Sequence, residues 1–263
     1  MDSPLFLATT ALAAALGAMM NAIAGGGTLI TFPALVALGV PPIVANATST
    51  VALWPGTMSS MWGYRRELVG ARRWAKAFAV PSFAGGIVGA LLLLKTPEKQ
   101  FAALVPWLIL GATALFMTQR PLMRVLARIG SLRREINGAD GKLLPPSASF
   151  LVYQFAVSVY GGYFGAGAGI LMLASLGLMG LTNIHQMNGL KNWGGGVMNL
   201  VAVAIFAVSG IVNWPIALAM AVGAGLGGYA GSKLAQRVGQ EWVRRAIAVI
   251  GLGAGFAMLF DLI

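Results

Sequence analysis

Long apolar stretches separated by short polar or glycine-rich segments dominate the chain. They cover 4–23, 28–38, 43–64, 74–94 and 101–118, and then 147–164, 170–181, 184–208, 213–234 and 242–260. An α-helix rises about 1.5 Å per residue and the hydrocarbon core of a bilayer is about 30 Å thick, so stretches near 20 residues predict spanning helices. A bilayer offers the backbone no water, so each span must satisfy its own hydrogen bonds as a helix. The pattern therefore predicts an all-α, polytopic membrane protein. The short stretches 28–38 and 170–181 are compatible with full crossings or with re-entrant half-helices.

The apolar runs fall into two series of five. Between them lies the polar segment 120–146, with Arg120, Arg124, Arg128, Arg133, Arg134 and Lys142 against Glu135 and Asp140. The expected organisation is a first transmembrane repeat over 1–119, a basic cytoplasmic linker over 120–146 and a second repeat over 147–263. Adding 142 to a position pairs Gly25 with Gly167, Gly27 with Gly169, Asn46 with Asn188, and Gly85, Gly86 and Gly89 with Gly227, Gly228 and Gly231.

Loop charge sets the orientation. Arg65, Arg66, Arg72, Arg73 and Lys76 place the loop after the third stretch in the cytoplasm, whereas its counterpart 209–214 carries no charge and belongs outside. Equivalent loops on opposite sides make the two halves inverted repeats, a plan that puts a transport site near the bilayer midplane at the repeat interface. The C-terminus is then expected in the periplasm. Lys95 and Lys99 run against this assignment, and Glu98 offsets one of them.

Composition narrows the chemistry. Of 263 residues, 58% are hydrophobic and 10% charged, against about 25% charged in a soluble domain, which excludes a water-soluble globule. The net charge of +11 lies in loops between spans, so it reads as positive-inside topology and not as a nucleic-acid surface. With no cysteine in the chain, disulfides, thiolate metal sites and cysteine nucleophiles are excluded. The start Met1-Asp2-Ser3-Pro4 lacks the basic region of a cleavable signal peptide.

All seven acids, Asp2, Glu67, Glu98, Glu135, Asp140, Glu241 and Asp261, fall at termini or between spans. None stands in a span as an acid–base catalyst or proton relay, and no serine has a partner base. His185 is the one histidine, without neighbouring ligands, so neither enzyme activity nor a metal or cofactor is expected.

The polar chemistry inside the spans gathers at two places in each half. Gly25, Gly26 and Gly27 precede Thr28, and Gly165, Gly167 and Gly169 precede the second short stretch. A helix restarting at membrane depth has unpaired N–H groups and partial positive charge in its first turn, which favours an anion. A dinucleotide-binding glycine loop would need a preceding strand in a soluble βαβ unit, which these flanks cannot supply. The glycine triplets ending at Gly89 and Gly231 read as close helix packing.

The second place is the polar entry to the following long stretch. There Asn46, Ser49 and Thr50 lie within one helical turn, as do Asn188, Lys191 and Asn192. Each set can point into one cavity. Thr182 and Asn183 read as helix caps. Lys191 lies inside an apolar stretch, and an intramembrane ionisable residue marks a functional site unless it snorkels to the headgroups.

These residues carry a resemblance. The run from Ala24 through Gly25-Gly26-Gly27-Thr28 to Pro33 and Leu35, the segments Gly39-Val40-Pro41-Pro42 and Ala45-Asn46-Ala47-Thr48-Ser49, and Tyr64-Arg65-Arg66 resemble the TauE/SafE family. The glycine run from Gly162 to Gly169 is similar to that family's second glycine box. The resemblance implies a bacterial inner-membrane secondary transporter, an exporter of sulfite, an organosulfonate or another sulfur oxyanion. Lys191 and His185 come from this sequence and not from the resemblance. An anion channel and a scaffold without flux are the alternative classes. The expected partners are a small anionic substrate and the lipid bilayer, with no nucleic acid, and the sequence is compatible with a homo-oligomer.

Overall fold

The computed structural model describes residues 4–23, 25–136, 146–179, 181, 183–234 and 241–260. Among these residues there are ten α-helices and no strand. The first five are α1 (Pro4–Ile23), α2 (Thr28–Ala37), α3 (Pro42–Gly63), α4 (Arg72–Lys95) and α5 (Glu98–Ile136), and the second five are α6 (Ala148–Tyr163), α7 (Ala168–Leu178), α8 (Ile184–Ser209), α9 (Trp214–Leu234) and α10 (Glu241–Leu259). By length and composition, Pro4–Ile23, Arg72–Lys95, Glu98–Thr118 and Ile184–Ser209 are each able to cross a membrane. The protein is an all-α, polytopic membrane protein.

Local sequence explains the helix ends. Pro42 opens α3 at a position where its missing N–H costs nothing. Asn183 caps α8, its Oδ1 accepting from the N–H groups of His185 (3.0 Å) and Gln186 (3.2 Å). Thr182, the other expected cap, lies outside the described residues. Gly210, at φ 76°, ends α8 in a conformation that costs glycine little.

The central basic segment differs from a simple loop. Helix α5 runs for 39 residues, about 58 Å at 1.5 Å per residue, and carries the apolar span straight into the arginine-rich stretch. Position 119, the expected end of the first half, therefore lies within a helix, and 137–145 lie outside the described residues.

The first five helices pack into the second five through exchanged partners. Helix α4 lies against α6 and α8, and α9 lies against α1 and α3. Glycine allows the approach: a Cβ on Gly86 would meet the backbone oxygen of Met198, and a Cβ on Gly228 would meet that of Gly56. Both members of the first contact are related to the second by 142 positions, 86 to 228 and 56 to 198. Gly85 and Gly89 sit on the backbone of α6, and Gly227 and Gly231 on that of α1, as expected of small residues between close-packed membrane helices.

The offset is not uniform. Helices α3 and α8 start 142 residues apart, as do α4 and α9, but α2 and α7 start 140 apart. Gly25 therefore matches Gly165, both at positive φ (88° and 83°), in place of the Gly25–Gly167 pairing expected from a single shift. The physical reason is one extra residue in α7 and one in the segment that follows it.

Candidate functional site

Each glycine box ends one helix and begins another. Helix α1 stops at Ile23 and α2 starts at Thr28, while α6 stops at Tyr163 and α7 starts at Ala168. The two breaks meet: a Cβ on Gly25 would stand 2.7 Å from the Gly169 Cα, and one on Gly169 would stand 2.8 Å from the Gly25 Cα. Only glycine permits this approach, and at Gly25 the positive φ requires glycine as well.

Carbonyls in the last turn of a helix lack intrahelical donors and carry partial negative charge. At both breaks they receive a side chain from across the molecule. Lys191 on α8 donates from Nζ to the carbonyl oxygens of Asn21 (2.6 Å) and Ala22 (3.4 Å) at the end of α1. Asn46 on α3 donates from Nδ2 to the carbonyl oxygen of Tyr163 (2.9 Å) at the end of α6. Lys191 is 3% exposed, so its ammonium is turned into the protein and does not snorkel.

Beside this junction lies a cavity of about 50 Å³ lined by Thr28, Thr50, Gly169, Lys191 and Asn192, among others. By the space one water needs, it has room for a few waters or one small polyatomic anion. Thr28 opens α2 and Gly169 lies in the first turn of α7, so two helix N-termini reach the same space. The Gly169 N–H has no backbone acceptor among the described residues. Asn192 is 1% exposed, and its Nδ2 is buried without a hydrogen-bond partner among them.

Other residues expected at the site have different neighbours. Gly27 packs against the Gly17 backbone, Gly26 against Phe116 and Gly167 against Ala112. Ser49 shares a 2.6 Å hydrogen bond with Thr31. Asn46 holds the end of α6, and Gly25 forms the contact between the breaks. Asn188 is buried with its Oδ1 unpartnered. None of these seven belongs to the cavity lining. His185 is also outside it, stacked on Tyr64 with ring centroids 6.4 Å apart.

Asn21, Thr57 and Asn199 line the cavity as well, and the sequence reading missed them. A signal existed for two: Thr57 and Asn199 are polar positions in apolar stretches related by 142. Asn21 stands at the end of an apolar run, where nothing in the pattern separates a lining residue from a cap.

The sequence model for "Sulfite exporter TauE/SafE" matches residues 10–258. The chain belongs to the TauE/SafE family. It is 29% identical over 249 residues to a probable membrane transporter protein of Haemophilus influenzae, covering 92% of this chain and 90% of that one. It is 27% identical over 258 residues to one from a Sinorhizobium species, covering 97% and 93%. A third relative, the probable membrane transporter protein YfcA of Escherichia coli, is 29% identical over 262 residues, covering 99% and 92%. No solved structure matches. This TauE/SafE member is a membrane transporter.

Proposed function

We propose that the chain is a secondary transporter that exports a small anion, sulfite, an organosulfonate or another sulfur oxyanion, across the bacterial inner membrane by alternating access. The observation that carries this reading is the buried Lys191 beside the first turns of α2 and α7 in one cavity. Ammonium and helix N-termini both favour negative charge, and burial strengthens each. Among the described residues the lining has no carboxylate to oppose it.

The exchanged packing of α4 and α9 supports two inverted halves that rock about a common site, the plan in which substrate binds at the repeat interface. The family's character as sulfite exporters supports a sulfur anion. The test is efflux from proteoliposomes loaded with sulfite. Saturable efflux that sulfonates compete for is the expected result. Efflux that rises without saturation identifies a channel, and absence of both binding and flux identifies a scaffold.

A further inference from the structure

The cavity has two chemically different walls. On the α7–α8 side the Lys191 ammonium and the Gly169 N–H are donors. On the α1–α3 side the hydroxyl donors are already used. Thr50 Oγ1 donates to the Asn46 carbonyl oxygen at 2.9 Å, and Thr57 Oγ1 donates to that of Leu53 at 3.3 Å. Asn21 Nδ2 donates in turn to Thr57 Oγ1 at 3.3 Å.

A hydroxyl has one hydrogen and two lone pairs, and an amide oxygen has two lone pairs. With its proton committed to the backbone, Thr50 has only lone pairs to offer. Thr57 keeps one after accepting from Asn21, whose Nδ2 still has a second hydrogen to donate. Thr28, Asn21, Asn192 and Asn199 can donate or accept and belong to neither wall. An oxyanion with every oxygen unprotonated would set lone pair against lone pair on the α1–α3 side. An anion with an O–H or N–H on its far end would satisfy both walls.

We infer that the site selects an anion carrying a polar hydrogen on the end opposite its charge, with Thr50 and Thr57 as the residues that determine this specificity. The inference rests on the anion-binding reading above and narrows its substrate class. A buried polar wall discriminates strongly, because the analogue that lacks the matching group leaves the wall unpaired.

The test is calorimetric binding of 2-hydroxyethanesulfonate and propane-1-sulfonate to the purified full-length protein, two probes that differ by a hydroxyl against a methyl group. The hydroxyl compound should bind about tenfold more tightly. Thr57→Val and, independently, Thr50→Val should each reduce that preference. Equal affinities in the wild type, or full preference retained in both variants, would overturn the inference and leave the anion reading standing. Failure of both probes to bind would overturn the two together.

Discussion

Trp54 donates its indole N–H to the carbonyl oxygen of Gly196 at 3.1 Å, and the two residues stand 142 positions apart. That is also the offset between the starts of α3 and α8. The bond therefore joins α3 to α8 between positions that share this sequence offset. Trp54→Phe keeps the ring and removes the donor. It should cost about 1 kcal/mol, read as a fall of a few degrees in the unfolding midpoint of the detergent-solubilised protein. An unchanged midpoint would show that the bond contributes nothing net.

The glycines offer a paired test of packing. A Cβ on Gly86 would stand 2.6 Å from the Met198 oxygen, whereas one on Gly111 meets nothing within 4 Å. Gly86→Ala should therefore push α4 away from α8 and lower stability by about 1 to 3 kcal/mol. Gly111→Ala should be neutral or stabilising by up to about 1 kcal/mol, since alanine favours a helix. Thermal unfolding of both variants side by side checks the contrast.

Replacing Lys191 with methionine keeps the bulk of the stem and removes the charge. Loss of a charge-assisted bond to the anion should weaken binding by about 1.5 to 3 kcal/mol, roughly ten- to a hundredfold. Lys191 also holds the end of α1, so the variant should unfold at a lower temperature without ligand. Sulfite titration followed by thermal shift reads both effects. Unchanged affinity with a lowered midpoint would assign Lys191 to the cap alone.

Loop charge makes a topological prediction. Segment 120–146 should be cytoplasmic and Ile263 periplasmic, because the basic loops of the two series fall at non-equivalent places. Reporter fusions at the two positions should give opposite signals. The same side for both would remove the case for inverted halves.

Coupling follows from the placement of the acids. With no carboxylate in the apolar stretches, the simplest driving force is the charge of the anion itself, about 2.3 kcal/mol per charge for each 100 mV. An inside-negative potential drives anions outward, so efflux from inside-negative vesicles should proceed without a sodium gradient and fall when the potential is clamped to zero at constant pH. Efflux that ignores the potential and requires an imposed proton or sodium gradient would reject this scheme.

Much of the architecture was legible before any coordinates. Apolar runs near 20 residues in a chain with 10% charge determine membrane helices, because hydrocarbon leaves the backbone no other option. Glycine clusters between a long and a short run announced the helix breaks, and Lys191 stood out because an ammonium within an apolar run is costly. Those are one-dimensional signals: period, length and charge.

Which polar residues share a cavity is a different kind of fact. Lys191 reaches a carbonyl 170 positions away, and Asn46 reaches one 117 positions away. Seen along the chain, Asn46 and Lys191 were both candidates; the packing turns Asn46 onto the end of α6 and leaves Lys191 beside the cavity. The register of the first two helix pairs was also hidden, because two extra residues in α7 and the segment after it shift the glycines without disturbing the apolar pattern. Amphipathic and apolar periodicity records which positions avoid water or lipid, but not which helix supplies the neighbour. That assignment is made only when the close-packed glycine faces of α4 and α9 bring the two series together.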